Sequence, residues 1–231
     1  MQMLHLPEVL SRIPLSPGKH YENAAQKCVM ECVAFVMGEP HTDHPRCACP
    51  VVTRIAMHVN DGFVPNDGGD LSRRILQLAG SNRGEAVTRE RAYFLTDYAF
   101  RTLVPRVVRE VLQEPPGGYG DIANLFAALP AIQPGADMAD IWKKFDDIPG
   151  AGALQPRAPI CQYLGSMLRE LEREKFVDVA HAFCLLDDAV WNSTDPIPLL
   201  DQLLAIGAAA EEIPVTEEMH SRIVELAETL Q

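Results

Sequence analysis

The fold is decided by residues 28–37, Cys28-Val-Met-Glu-Cys-Val-Ala-Phe-Val-Met37. At about 100° per residue, the apolar groups of a helix with this sequence cover every side of the cylinder. A helix that is apolar all round belongs in the middle of a bundle rather than on its surface. We therefore predict that this segment is the central helix of an N-terminal bundle.

Local signals on both sides of the apolar run predict where this helix begins and ends. Asn23 and Gln26 are three positions apart, which is the spacing of a capping box, so we expect the helix to begin near Ala24. Gly38 and Pro40 predict that it ends where the apolar run ends.

The rest of the chain has almost entirely helical periodicity, with no convincing run of alternating apolar and polar residues. A second helix is expected to begin at Pro50 and to end at Asn60-Asp61-Gly62. Pro105 is expected to kink or break a long helical pattern between Glu85 and Gln113. Further helical segments are predicted at about 70–78, 121–129, 137–146, 160–171, 176–186, 197–209 and 216–230. These patterns predict an all-α protein, an irregular helical bundle of about eight to ten helices.

Two segments rich in glycine and proline, residues 114–121 and 149–159, divide the helical pattern. We expect an N-terminal helical bundle with a Cys/His loop over residues 1–113 and a linker region with short helices over 114–159. A C-terminal helical bundle is then expected over 160–231. One continuous domain is the alternative, since 231 residues are enough for either arrangement.

Charge and composition limit the classes of function. The chain has 20 Lys+Arg against 32 Asp+Glu, a net charge of -12, whereas neutralising phosphates needs positive charge. This disfavours nucleic-acid binding and favours a protein partner with a basic surface. No stretch reaches the roughly 18–20 apolar residues of a membrane span, and the N-terminus lacks the pattern of a secretory signal. We therefore expect a cytoplasmic protein without membrane contact, and leave a homo-oligomer open.

Glu31 is the only charged residue in the apolar run. A buried carboxylate costs several kcal/mol unless it is paired, hydrogen-bonded or protonated. The nine residues from Gly38 to Cys47 can stretch to roughly 30 Å, so the following loop can fold back along the helix. The first interpretation is therefore a structural one, with the cysteines as small apolar residues. It predicts a buried polar cluster of Glu31, Asp43, His44 and Arg54.

The second interpretation is a metal site. Of the six cysteines (Cys28, Cys32, Cys47, Cys49, Cys161 and Cys184), four lie within residues 28–49. Cys28 and Cys32 are four apart on one helical face, and His44 and Cys47 are three apart in the loop. Together these four residues would supply the ligands of a tetrahedral zinc ion and would add folding free energy.

The third interpretation is a nucleophilic cysteine. Cys28 or Cys47 would be activated by His44, with Asp43 or Glu31 orienting the imidazole. The predicted helix boundaries place Cys28 in the second turn, where its thiol gains little from the helix N-terminus.

The pattern Cys28-x-Met30-Glu31, Gly38-Glu39-Pro40-x-x-Asp43-His44-Pro45-x-Cys47-x-x-Pro50 and Asn60-Asp61 resembles uncharacterised helical proteins of bacteria and their phages. Arg101-Thr102-x-x-Pro105 is similar too, and the likeness covers roughly the first half of the chain. The resemblance implies that Cys28, Glu31, Asp43, His44 and Cys47 form one unit, and it implies no activity. Cys32 and Cys49 fall where that pattern does not require cysteine.

These observations predict a non-enzymatic interaction or regulatory protein without a cofactor. Its acidic surface would bind a protein partner, and the Cys/His/Glu cluster would have a structural role. Phage proteins of this size and charge that inhibit host machinery are an analogy for such a role. The alternative is a metal- or thiol-dependent hydrolase centred on Cys28, Asp43, His44 and Cys47, with zinc as the metal.

Overall fold

The computed structural model describes residues 6–110, 119–148, 160–190, 196–207 and 213–229, and only the backbone of 63–69, 119 and 120. In these ranges all regular structure is helical and no strand occurs, which confirms the predicted all-α fold. The α-helices are α1 (Leu6–Leu10), α2 (Val29–Met37), α3 (Pro50–Ser72), α4 (Ile75–Ala79), α5 (Glu85–Tyr98), α6 (Val104–Glu110), α7 (Tyr119–Ala127), α8 (Met138–Asp146), α9 (Ile160–Glu172), α10 (Phe176–Ala189), α11 (Pro196–Ala205) and α12 (Glu217–Thr229). None of them combines the length and apolar composition that a membrane span requires.

The chain forms two compact units. The first consists of residues 1–85 together with 196–231, and the second of residues 86–195. The boundaries expected from the glycine and proline segments, after residues 113 and 159, do not coincide with this division. Within the first unit α12 packs on α2, and α11 packs on α3. Burial of apolar surface therefore brings together helices from the two ends of the chain.

Helix α2 is at the centre of the first unit. Its apolar side chains are buried on all sides except for two partly exposed positions, and it packs against α3, α4 and α12. It ends as predicted: Gly38 has the left-handed conformation (φ 69°) and donates its N–H to the carbonyl of Phe35.

The predicted start of α2 is wrong. The helix begins at Val29 rather than near Ala24, and Cys28 is its N-cap. The capping box is formed by Cys28 and Glu31, not by Asn23 and Gln26. The preceding residues 16–27 form a loop closed by a hydrogen bond from the N–H of Ser16 to the carbonyl of Lys27, 3.0 Å long.

Helix α3 begins at Pro50 as predicted but passes through Asn60-Asp61-Gly62, where an end was expected. The Asn60 and Asp61 side chains do not end this helix, because they bond to a distant part of the chain. The Asn60 amide accepts the N–H of Val29 at 3.0 Å and donates to the carbonyl of Ser16 at 2.8 Å. Asp61 accepts the N–H of Gly18 at 2.8 Å.

The predicted interruption at Pro105 takes the form of a π-helix over Ala99–Leu103, which joins α5 to α6. Pro105 has no N–H and its ring crowds the carbonyl four residues before it. The N–H of Val104 instead bonds to the carbonyl of Ala99, five residues back, which widens the turn just before the proline.

In the second unit α9 and α10 pack against each other as a helical hairpin. The turn between them uses Glu174 at positive φ (57°), and the N–H of Lys175 bonds to the carbonyl of Glu170 at 2.9 Å. The aromatic rings of Phe100 and Phe145 meet edge to face with centroids 5.3 Å apart, and they form part of the core of this unit.

Candidate functional site

Glu31 lies in the first turn of α2 and is only 1% exposed. One carboxylate oxygen, Oε2, accepts the N–H of Cys28 at 2.8 Å and Nδ1 of His20 at 3.0 Å. The other, Oε1, accepts the N–H of His20 at 2.8 Å. The Cys28 sulfur in turn accepts the N–H of Glu31 at 3.5 Å, which completes the capping box. The carboxylate is therefore buried with both of its oxygens hydrogen-bonded.

These hydrogen bonds keep Glu31 ionised. Burial raises the pKa of the Glu31 carboxyl, but the N–H groups of His20 and Cys28 and the His20 ring outweigh burial, and the pKa lies below its usual value. Because an ionised carboxylate only accepts hydrogen bonds, Nδ1 of His20 carries a proton. Nε2 of His41 lies 3.6 Å from Oε1 and donates to the carbonyl of His20 at 2.9 Å. We call Glu31, His20, His41 and Cys28 the Glu31 cluster.

Asp43 and His44 form a second group with Lys19. Nδ1 of His44 donates to Oδ1 of Asp43 at 2.8 Å, and the Lys19 ammonium lies 3.3 Å from the same oxygen. Burial raises the pKa of Asp43, but the hydrogen bond from His44 and the other donors outweigh it and the pKa is lowered. The Asp43 carboxylate is buried, whereas the His44 side chain is 66% exposed. His44 therefore presents its ring to solvent.

Glu39 is a third carboxylate bound by backbone groups, and no role was predicted for it from the sequence. Its two oxygens accept the N–H of Arg46 at 2.8 Å and of Cys47 at 2.9 Å. Burial raises the pKa of Glu39, but these donors outweigh it and the pKa is lowered. Glu39 follows the C-cap Gly38, so it closes the loop back onto the end of α2.

The buried polar cluster differs from the expected set of Glu31, Asp43, His44 and Arg54. Glu31 and Asp43 are buried, but His44 is exposed and Arg54 is half-buried on α3. The hydrogen bonds to Glu31 come from Cys28 and from His20, a residue for which no role was predicted from the sequence. The signal that could have found the right geometry is the three-residue spacing of Cys28 and Glu31, a capping box with an uncommon N-cap residue.

The expected zinc ligands Cys28, Cys32, His44 and Cys47 are not brought together. Among the described residues, no group of three or more His, Cys, Asp or Glu side chains is placed so that it could hold a metal ion. Cys28 and Cys32 are buried with α2, whereas His44 faces solvent.

The thiols of Cys28, Cys32 and Cys47 are held in their protonated form. Burial raises the pKa of Cys28 to about 12, and burial together with Glu39 raises that of Cys47 to about 12. Burial also raises the pKa of Cys32. A thiol needs the opposite shift to become a nucleophile at neutral pH.

No protein-family model, curated protein or solved structure matches this chain. The resemblance to bacterial and phage proteins therefore stays a prediction.

What the site can do follows from its own contacts. Three carboxylates, of Glu31, Asp43 and Glu39, are occupied by hydrogen bonds from neighbouring segments of the same unit. Such an arrangement fixes loops in place.

Proposed function

We propose that this chain is a non-enzymatic interaction protein in which the Glu31 cluster is structural. The cluster holds residues 16–27, here called the Tyr21 loop, as a recognition element for a protein partner. The observation that carries the proposal is that Tyr21 is 89% exposed on a loop whose backbone is tied down on both sides of it.

The anchoring of the Tyr21 loop is extensive. Before Tyr21, the N–H of Gly18 bonds to Asp61 and the N–H of His20 bonds to Glu31, both at 2.8 Å. Directly after it, the N–H of Ala24 bonds to the carbonyl of Tyr21 at 2.9 Å. A loop that is already ordered loses less conformational entropy when a partner binds, and this favours affinity.

Tyrosine is suited to anchor such an interface. Its ring supplies a large apolar surface and its hydroxyl supplies a hydrogen bond, and tyrosine is enriched among the residues that dominate binding energy. Within the described ranges the Tyr21 hydroxyl has no hydrogen-bond partner, so both groups are available. The net charge of -12 favours a partner with a basic surface.

The proposal is tested with Tyr21→Ala and a matched control, Val215→Ala. Val215 is an apolar residue of the same unit that is 40% exposed. Immobilised wild-type chain should retain one stoichiometric protein from cells that express it, more weakly as salt is raised. Titration with that purified protein should show at least about 30-fold weaker binding for Tyr21→Ala, as expected for an anchor residue. Equal affinities of Tyr21→Ala and Val215→Ala would refute the role of the loop.

The alternative proposal is a metal- or thiol-dependent hydrolase centred on Cys28, Asp43, His44 and Cys47. The contact between Asp43 and His44 supports it, because the Asp43 carboxylate orients an imidazole whose side chain is 66% exposed. Against it, a thiol with a pKa of about 12 is ionised in only about one molecule in 10⁵ at neutral pH.

Two measurements distinguish the proposals. Elemental analysis of the purified protein should find no stoichiometric zinc, and iodoacetamide at neutral pH should alkylate no cysteine faster than a free thiol. Bound zinc, or one cysteine that reacts unusually fast, would favour the hydrolase instead.

A further inference from the structure

The second unit contains a cavity of about 720 Å³ between α8, α9 and α10. This volume lies within the range of small-molecule sites. Two aromatic residues of α8, Trp142 and Phe145, form one wall, with ring centroids 6.1 Å apart. Ala182 and Leu185 of α10 add apolar surface. Gly165 of α9 lies against this wall, since a Cβ there would be in ordinary van der Waals contact with the Trp142 indole, at 3.8 Å.

The rim of this cavity has two cations without a carboxylate partner. Arg169 and Lys175 line the cavity and are exposed, and neither forms an ion pair with any described residue. Two other cations of this unit are paired: Lys144 lies 2.6 Å from Asp140 and Arg101 lies 3.2 Å from Asp97. Arg169 and Lys175 are thus two unpaired cations that line the same cavity.

Two carboxylates also line the cavity, but neither forms an ion pair with Arg169 or Lys175. Glu170 lines the cavity, but its Oε1 is bound to Arg173 at 3.1 Å. Asp178 lies in the first turn of α10, where the helix dipole stabilises its carboxylate without an ion pair. Arg169 and Lys175, which have no ion-pair partner among the described residues and lie in the same cavity lining as aromatic rings, favour an anionic ligand.

We propose that this cavity binds a small aromatic carboxylate. The ring of the ligand lies against Trp142 and Phe145, and its carboxylate is bound by Arg169 and Lys175. Aromatic rings attract one another in offset or edge-to-face contact, and a guanidinium binds a carboxylate through two parallel hydrogen bonds. This site is independent of the Tyr21 loop and of the proposed function.

The proposal is tested by calorimetric titration of the full chain with 2-naphthoate, its neutral amide 2-naphthamide, and the aliphatic decanoate. We expect 2-naphthoate to bind at a ratio of one to one and at least about tenfold more tightly than the other two probes, a difference of about 1.4 kcal/mol. Equal binding of acid and amide, tighter binding of decanoate, or no binding of 2-naphthoate at millimolar concentration would overturn the proposal.

Variants assign the binding to this cavity. The double variant Arg169→Gln/Lys175→Gln should lower the affinity for 2-naphthoate to that of the amide and leave the amide unchanged. Lys144→Gln, which removes a cation of the same unit outside the cavity lining, should bind like wild type. Ser166→Trp places an indole in the cavity and should abolish binding of both probes. Unchanged binding by the double variant or by Ser166→Trp would place the ligand elsewhere and refute the site.

Discussion

Replacing Glu31 by glutamine tests whether the buried carboxylate organises the first unit. The carboxylate accepts three hydrogen bonds, from the N–H groups of Cys28 and His20 and from the His20 ring. An amide has one accepting oxygen, and its NH₂ group can only donate. In either orientation of the amide, at least one buried backbone N–H therefore faces another donor.

The magnitude follows from these contacts. A buried donor left without a partner costs about 1–3 kcal/mol, and the hydrogen bonds that remain lose their charge-assisted strength. We expect Glu31→Gln to lose about 3 kcal/mol of stability. For a chain of this length that corresponds to a fall in Tm of about 6–12 °C.

The assay is thermal unfolding followed by circular dichroism, with Glu22→Gln as the control. Glu22 is exposed in the Tyr21 loop, so the control makes the same change of charge without removing a buried acceptor. Glu22→Gln should melt within about 2 °C of wild type at pH 7. A Glu31→Gln protein that melts like this control would refute the reasoning.

The pH dependence of the effect provides a second check. The pKa of Glu31 is lowered in the folded state, so the unfolded state binds more protons as the pH falls below the usual glutamate pKa of 4.5. The stability that the ionised carboxylate contributes is fully present above that pH and is lost as the pH falls through the folded pKa. The difference in Tm between wild type and Glu31→Gln should therefore shrink below about pH 4.5. A difference that stays constant down to pH 3 would argue against an ionised Glu31.

Four further predictions concern α2, its N-cap and C-cap residues, and α3. Asn60→Ala removes one hydrogen bond to the backbone of Val29 and one to that of Ser16, so trypsin should cleave the Tyr21 loop faster. Unchanged cleavage would contradict the anchoring of this loop by Asn60. Gly38→Ala should lower stability by about 1–2 kcal/mol in urea unfolding, because φ is 69° and a Cβ would lie 2.7 Å from Arg222. Gly62→Ala, in a helical position with open space, should instead raise stability by about 0.5–1 kcal/mol. If both variants changed stability in the same direction, the explanation from backbone conformation would be refuted. Cys28 should react with a disulfide reagent at pH 8 only after urea is added, whereas fast labelling of the native chain would show that its thiol is not buried.

The class of fold and several helix ends could be predicted because they depend on local chemistry. Gly38 ends α2 since glycine adopts the left-handed conformation without strain, and Pro50 begins α3 since its missing N–H is not needed there. The burial of Glu31 also follows from the apolar residues on every side of the same helix.

Other features could not be predicted because a local pattern has more than one reading in three dimensions. Asn23 and Gln26 have the same spacing as Cys28 and Glu31, and only the second pair forms the capping box. Asn60-Asp61-Gly62 is typical of a helix end, yet these residues lie within α3 because the Asn60 amide is occupied by residues 16 and 29. In such cases, hydrogen-bond partners that are distant in sequence compete with local ones and decide which local structure forms.

By itself, then, the sequence determined that this protein is helical, that α2 is central and that its lone carboxylate needs hydrogen-bond donors. Only the tertiary structure decided that His20 and Cys28 donate to Glu31, while His44 binds Asp43 and faces solvent. Hydrophobic periodicity specifies which side of a helix is buried, because burial depends on the amount of apolar surface. A hydrogen bond depends on distances of a few tenths of an ångström, and these are set only when the whole unit has packed.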